Sequence, residues 1–302
     1  MTILCGTDFG PLGSEAVRVA GFLAERAGQG LHLAHVLGGE SPWQSSERAR
    51  KELEGNAARL IPAALRPALE VLTGLPDTAL VERARQLHAE LLVIGAVGHR
   101  ALDRWLLGST AGSTAREAPI PVLVVREARP FEEWLSGNRA LRVMVGCEEG
   151  PSSDGALAWA GGLARLGPID LVVTQLVRPE EENRRVGFTG LGMGVTLCPE
   201  ARTRLHEALG ARQRALAGAV TARLEVQPTL GRFDQPMVAA AEEFGADLLV
   251  VGSHQREGFR RWWHGSVSSG VLNGAPMSVA VVPVQATGLP GPAPATDAPG
   301  AG

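Results

Sequence analysis

Short apolar runs alternate with longer amphipathic stretches along most of the chain. In the first part of the chain the runs are rich in Val, Ile and Leu and lack polar alternation; they lie at 3–7, 31–37, 69–72, 91–94 and 122–125. Such continuous apolar strands are typical of a parallel sheet that is covered by helices on both faces. The stretches between them carry apolar residues at helical spacing. The pattern therefore predicts repeated β-α units and a doubly wound parallel sheet.

The same order of elements occurs twice. Residues 3–11 match 143–151 at an offset of 140, and residues 89–95 match 246–252 at an offset of 157. Because two blocks recur in the same order, we interpret the chain as a tandem duplication. The change of offset places a net insertion of 17 residues in the second copy, within 178–198.

The repeat defines the expected domains. A length of 302 residues is typical of about two domains, which we predict at residues 1–127 and 140–285. The charged segment 128–139 interrupts the pattern and is predicted to be a linker. The tail, residues 286–302, is rich in Pro, Gly and Ala, and we predict that it is disordered because it has few large apolar groups to bury.

Composition excludes several classes of function. The net charge is -3, which argues against a nucleic-acid partner, and Lys51 is the only lysine, which excludes a phosphate loop of the GK[ST] type. Three cysteines, Cys5, Cys147 and Cys198, have no CxxC spacing, which disfavours a disulfide framework or a zinc site. The seven histidines form no i, i+4 pair, so no metal site is predicted.

Neither a signal peptide nor an apolar stretch long enough to span a membrane is recognisable in the sequence. Together with the cysteine usage, this predicts a cytoplasmic location without a membrane partner.

A glycine-framed loop at 95–110 carries the candidate chemistry. It follows a buried strand and ends at the predicted start of a helix, where backbone N–H groups and the helix dipole favour an anion. The candidate phosphate-binding residues are Gly95, Gly98, Gly108, Ser109 and Thr110, with His99 or Arg100 as sources of positive charge.

Asp8 ends the first strand, and ligands of open α/β sheets bind at the carboxyl edge of the strands. We therefore expect the Asp8 carboxylate to face the same crevice as the loop. It can accept a hydrogen bond from an adenine amino group or a ribose hydroxyl.

The spacing G-x2-G-x9-G-[ST] over 95–109, together with Asp8 and the closing strand 121–125, resembles the universal stress protein family. The resemblance covers nearly the whole chain, once per half. It implies a Rossmann-like sheet of the adenine nucleotide alpha hydrolase type in each half, with five parallel strands in the order 3-2-1-4-5. It also implies that the last strands of the two halves meet across a pseudo-twofold axis, as in a family dimer.

The resemblance further implies function. The first half would bind ATP, with or without Mg²⁺, and the protein would act in stress response or signalling through nucleotide-dependent interactions. Asp8 and Val36 would contact the adenosine moiety, and the glycine loop would hold the phosphates. A homodimer is compatible with the resemblance.

The second half departs from the family pattern. Gln255 stands at the position of Gly98, Glu148 at that of Asp8, and Val267 at that of Thr110; Gly252, Gly265 and Ser266 are retained. A longer side chain at a position of close approach obstructs a ligand. We therefore expect weak nucleotide binding, or none, in the second half.

Two alternatives remain at this point. One is an enzyme on the same adenine-nucleotide fold, with slow ATP hydrolysis or adenylyl transfer. The other is a scaffold that binds no nucleotide. No catalytic residue is assigned, because a nucleophile elbow at 108–112 would also need a positioned base and acid; a non-enzymatic role is the expectation.

Overall fold

The computed structural model describes residues 2–38, 42–97, 107–148, 151–190, 194–253 and 266–286, apart from the side chains of 42–45 and 266. Of the tail that we predicted to be disordered, residues 287–302 fall outside this range, whereas Ala286 is described and packs against the core. The first half contains, in order, β1 (Thr2–Gly6), α1 (Pro11–Ala27), β2 (Gly30–Leu37), α2 (Pro42–Leu60), β3 (Ala68–Thr73), α3 (Pro76–Gln86), β4 (Leu91–Gly95), α4 (Ser109–Glu117) and β5 (Val122–Val125).

A helix, α5 (Arg129–Leu135), connects the halves. The second half contains β6 (Leu141–Cys147), α6 (Pro151–Leu163), β7 (Ile169–Val177), α7 (Pro179–Arg185), α8 (Pro199–Leu216), β8 (Ala222–Pro228), α9 (Asp234–Phe244), β9 (Leu248–Ser253), α10 (Ser266–Gly274) and β10 (Ser278–Pro283). The predicted alternation of strands and helices is confirmed in both halves.

All ten strands form one sheet, in the order β3-β2-β1-β4-β5-β10-β9-β6-β7-β8. Pairing is parallel within each half and antiparallel between β5 and β10, where Val124 faces Val279. The predicted strand order 3-2-1-4-5 is confirmed, and the second half repeats it. The last strands of the two halves meet at the centre of the sheet, which is the pseudo-dimer that the family resemblance implied.

Each face of the sheet carries an apolar layer that continues through both halves. Ile3 and Val145 belong to one layer, and Leu4 and Met144 belong to the other. Alternate residues of a strand point to opposite faces, so a strand that is apolar throughout buries both sides. The continuous apolar runs in the sequence have this cause.

The segment that we predicted as a linker contains the buried helix α5. Phe131 and Trp134 are almost completely buried against the core. The Glu15 carboxylate on α1 accepts a hydrogen bond from the Ala128 N–H at 2.7 Å, and Arg18 on α1 pairs with Glu132 at 3.4 Å. The connection between the halves is therefore docked on α1.

The insertion at 178–198 is organised by a buried amide. The Asn183 Nδ2 donates to the Thr196 carbonyl at 2.7 Å, and the Asn183 Oδ1 accepts from the Cys198 N–H at 2.9 Å. Glu182, beside it, is buried and pairs with Arg185 and Arg204. These contacts tie α7 to the start of α8.

All three cysteines are free and buried. Burial raises the pKa of the Cys147 thiol to about 12 and that of the Cys5 thiol further still. Both thiols stay protonated at neutral pH, so neither is an activated nucleophile. Within the described ranges, no helix combines the length and apolar character needed to cross a bilayer.

We expect Phe131→Ala to lower the free energy of unfolding by about 3–5 kcal/mol, because it deletes a buried aromatic ring between α5 and the core. Denaturant titration measures this change. Arg129→Ala is the matched control on the same helix: its ion pair with Glu133 is exposed and contributes less than about 1 kcal/mol. If both substitutions lowered the free energy of unfolding by equally small amounts, α5 would connect the halves without stabilising them.

Candidate functional site

The turn after β1 is shaped by two side chains that bond to the backbone. The Thr7 Oγ1 accepts from the Phe9 N–H, and the Asp8 Oδ1 accepts from the Gly10 N–H, both at 3.1 Å. Short polar side chains stabilise tight turns in this way. Phe9 adopts a φ of 63°, in the left-handed region that non-glycine residues rarely occupy. The turn therefore holds Asp8 in one position at the carboxyl edge of the sheet.

An aromatic contact connects this turn to the end of β2. The Phe9 ring stacks on the His35 imidazole, with centroids 4.3 Å apart and planes inclined by 28°. The His35 Nδ1 lies 2.8 Å from the Thr7 carbonyl oxygen. Because Val36 follows His35 directly, the same contact fixes the strand end that carries Val36 relative to Asp8.

Gly13, on the first turns of α1, leaves the space that the Asp8 carboxylate occupies. A Cβ at Gly13 would lie 2.5 Å from the Asp8 Oδ1. The equivalent residue of the second half is Ser153, whose Oγ accepts from the Glu148 N–H at 2.9 Å. Gly13 was not among the predicted site residues, although the divergence of this position between the halves is visible in the aligned repeat.

Gly95 is required by helix packing. A Cβ there would lie 2.6 Å from both the carbonyl carbon and oxygen of Leu12, in the first turn of α1. Gly252 meets the Ser152 backbone of α6 in the same way. Gly95 in β4 and Gly252 in β9 thus let the neighbouring helix approach the strand, a packing role that the sequence analysis did not predict.

The N-terminus of α4 points into the crevice. Gly108 is the N-cap residue, with φ −69° and ψ 149°, and its carbonyl accepts the first helical bond, from the Gly112 N–H at 3.0 Å. The N–H groups of Ser109, Thr110 and Ala111 precede that bond and have no acceptor within the helix. The Gly108 N–H donates to the Ala96 carbonyl at 2.8 Å, which holds the start of α4 beside the end of β4.

These elements enclose a cavity of about 210 Å³. Six of the predicted site residues line it: Asp8, Val36, Gly95, Gly108, Ser109 and Thr110. The other three, Gly98, His99 and Arg100, lie outside the described residues. Pro76 and Leu80 add apolar walls that the sequence pattern did not predict, because local pattern does not show where α3 packs. Val97, within the predicted loop at 95–110, also lines the cavity.

The cavity has two chemically distinct ends. The Asp8 carboxylate and the apolar side chains of Val36 and Leu80 lie toward β1 and β2, and the α4 N-terminus supplies backbone donors with the positive end of a helix dipole. This arrangement suits a ligand that combines a flat, hydrogen-bonding group with an anion. Within the described part of the chain, no group of three or more His, Cys, Asp or Glu residues is placed to hold a metal ion.

The equivalent cavity of the second half measures only about 30 Å³. Gly252 lines it as predicted, whereas Gly265, like Gln255, lies outside the described residues and the Ser266 side chain is not described. Three larger or less polar residues replace those of the first half, namely Phe233 for Pro76, Met237 for Leu80, and Val267 for Thr110.

Further contacts hold the second crevice in this form. The Arg178 guanidinium lies over the Phe233 ring, 5.5 Å from its centroid. Arg212, on α8, donates to the Glu148 carbonyl at 2.6 Å and to the Asp154 carboxylate at 2.5 Å. Glu148, the residue that corresponds to Asp8, is therefore attached to α8 through its carbonyl group.

Comparison with known proteins agrees with this architecture. The model of the universal stress protein family matches residues 1–126 and again 140–283. A universal stress protein of Mycobacterium tuberculosis is 29% identical over 246 residues, which cover 79% of this chain and 78% of the relative. A second one from the same organism is 26% identical over 306 residues and covers 94% of this chain and 100% of the relative.

A crystal structure of a universal stress protein from Archaeoglobus fulgidus has the same fold, with a TM-score of 0.64, 15% identity and coverage of 94% of this chain and 98% of that one. At that identity the likeness concerns the fold alone. The repeated match, the shared strand order and the curated relatives together show that the chain belongs to the universal stress protein family, with two copies of the family domain in tandem.

Proposed function

We propose that the first half binds ATP, with or without Mg²⁺, and that the protein acts in stress response or signalling through nucleotide-dependent contacts. One observation carries the proposal: Asp8, Val36 and the N-terminus of α4 line the same cavity. These groups come from three separate elements, and each suits a different part of one nucleotide.

The adenosine moiety would occupy the end formed by β1, β2 and α3. Val36 and Leu80 offer apolar contacts to a purine ring, and the half-buried Asp8 carboxylate can accept from its amino group or from a ribose hydroxyl. The Gly10 N–H already uses the Asp8 Oδ1 and thereby orients the carboxylate before the ligand arrives.

The phosphates would lie at the start of α4. The N–H groups of Ser109 and Thr110 and their hydroxyls are donors to phosphate oxygens, and the helix dipole adds positive potential. Gly98, His99 and Arg100 belong to the proposed phosphate site on the sequence pattern alone. A bound triphosphate can also carry a magnesium ion.

The second half is proposed to bind nucleotide weakly or not at all. Its cavity of about 30 Å³ is far smaller than the cavity of about 210 Å³ in the first half, so it offers much less space to a purine. Opening it would require movement of Phe233 and Met237, which belong to or contact the apolar core.

For stoichiometry, we expect isothermal titration of the intact chain with ATP to give one nucleotide per chain, because of the two equivalent cavities the one in the first half is much the larger. Two sites of equal affinity would contradict the proposed asymmetry. A complete lack of heat and of thermal stabilisation would instead favour the scaffold alternative.

Asp8→Ala should weaken ATP binding about tenfold or more, because it removes a charged hydrogen-bond acceptor worth roughly 1.5–3 kcal/mol. Calorimetric titration gives the affinity, and the melting temperature reports whether the turn after β1 survives. Glu148→Ala, at the equivalent position of the second half, is the matched control and should leave affinity unchanged. If both variants lost ATP affinity equally, or if neither lost any, the role assigned to Asp8 would be contradicted.

Thr110→Val copies the residue that the second half carries at this position, Val267. It should lower affinity for ATP roughly three- to tenfold, since one hydroxyl contact to a phosphate is lost, and leave affinity for adenosine unchanged. The rise in melting temperature that ATP and adenosine each cause, in the native chain and in the variant, measures the two affinities. A similar loss for adenosine would place Thr110 away from the phosphates.

A further inference from the structure

The strand β8 forms one end of the ten-stranded sheet, next to β7. Among the described residues, no strand pairs with its outer side. A groove of about 490 Å³ follows β8 between α8 and α9. His206 borders it on α8, and Glu243 and Phe244 border it on α9. Among the described residues, the outer side of β8 is therefore an unpaired sheet edge that borders this groove.

Hydrogen bonding to β7 determines which backbone groups lie on this edge. The Thr229 N–H donates to the Val177 carbonyl at 2.9 Å, and β8 runs parallel to β7 with Pro228 opposite Val177. Backbone groups alternate in direction along a strand, so odd-numbered residues bond to β7. The N–H and C=O groups of Leu224 and Val226 consequently face outward, and Pro228 has no N–H to extend the edge.

The side chains of β8 also divide between two faces. Leu224 and Val226 pack against the core layer beneath α8. Arg223 lies over the Phe244 ring on α9, 5.4 Å from its centroid, and pairs with Glu225 at 2.6 Å. One face of the edge strand thus carries a positive and a negative residue two positions apart.

We propose that two copies of the chain associate through their β8 strands, antiparallel, with a twofold axis at Leu224. In this register the Leu224 backbones exchange both hydrogen bonds, and Arg223 of each copy lies directly opposite Glu225 of the other. Both opposite pairs occupy non-hydrogen-bonded positions, where side chains approach most closely. The two sheets join into one of twenty strands, given ten in each chain.

The charged residues of β8 favour this register over the registers with the twofold axis at a nearby residue. An axis at Arg223 or at Glu225 would place two like charges directly opposite each other, which is destabilising. An axis at Val226 would place Glu225 opposite Gln227 and lose both ion pairs. The Leu224 axis is the self-complementary arrangement.

The opposite end of the sheet lacks this complementarity. Within β3, Glu70 is the only charged residue. It is already engaged by Arg83, whose Nε donates to it at 2.6 Å, and it lies 3.4 Å from the His32 Nδ1. A β3 edge therefore offers no pair of opposite charges to a second copy, and association is expected at β8 alone.

The test uses sedimentation velocity of the full chain over a range of concentrations. The native chain should show a monomer–dimer equilibrium. Arg223→Glu and Glu225→Arg, each alone, should raise the dimer Kd roughly ten- to a hundredfold, because two attractive cross-strand pairs become repulsive. Arg48→Glu, which reverses an exposed charge on α2, is the control for net charge and should leave the Kd unchanged.

An equimolar mixture of the Arg223→Glu chain and the Glu225→Arg chain should recover the dimer, because every cross-strand pair in the mixed species is again attractive. The double variant Arg223→Glu, Glu225→Arg should also dimerise. Melting temperatures confirm that each variant is folded. A native chain that stays monomeric, a dimer that is indifferent to both reversals, or a mixture that fails to associate would each overturn the proposal.

Discussion

The close approach of α1 to β4 at Gly95 is the constraint on which the site depends. The backbone of Leu12 occupies the space that a Cβ at Gly95 would need. This approach brings the start of α1, with the Asp8 turn before it, beside the strand that leads to α4. Without that contact, the carboxylate and the helix N-terminus would not border the same cavity.

The second half repeats the constraint but has a much smaller cavity. Gly252 meets the Ser152 backbone as Gly95 meets Leu12, so the framework is unchanged. The side chains around it differ: Phe233 and Met237 take up space that Pro76 and Leu80 leave open. The same backbone geometry therefore encloses a cavity of about 210 Å³ in the first half and one of about 30 Å³ in the second. The volume of the lining side chains causes the difference.

The two ends of the sheet also combine an equivalent backbone position with different side chains. The central pairing of β5 with β10 joins the halves and removes two edges, which leaves β3 and β8 as the outer strands. β3 and β8 are each the third strand of their half, yet they carry different charged residues: β3 has Glu70 alone, and β8 has Arg223 and Glu225. The two halves thus share a backbone framework and differ in the side chains at their crevices and at their outer strands.

The sequence by itself determined the strand and helix order, the duplication and most of the predicted residues that line the first-half cavity, because these rest on local periodicity and on residues at fixed spacing. Asp8, Gly108, Ser109 and Thr110 were recognisable for that reason. Only the tertiary structure decided that α5 docks on α1, that Gly95 serves helix packing, and that Phe233 narrows the second cavity. Each of these depends on contacts between residues far apart in the chain, which local pattern does not encode.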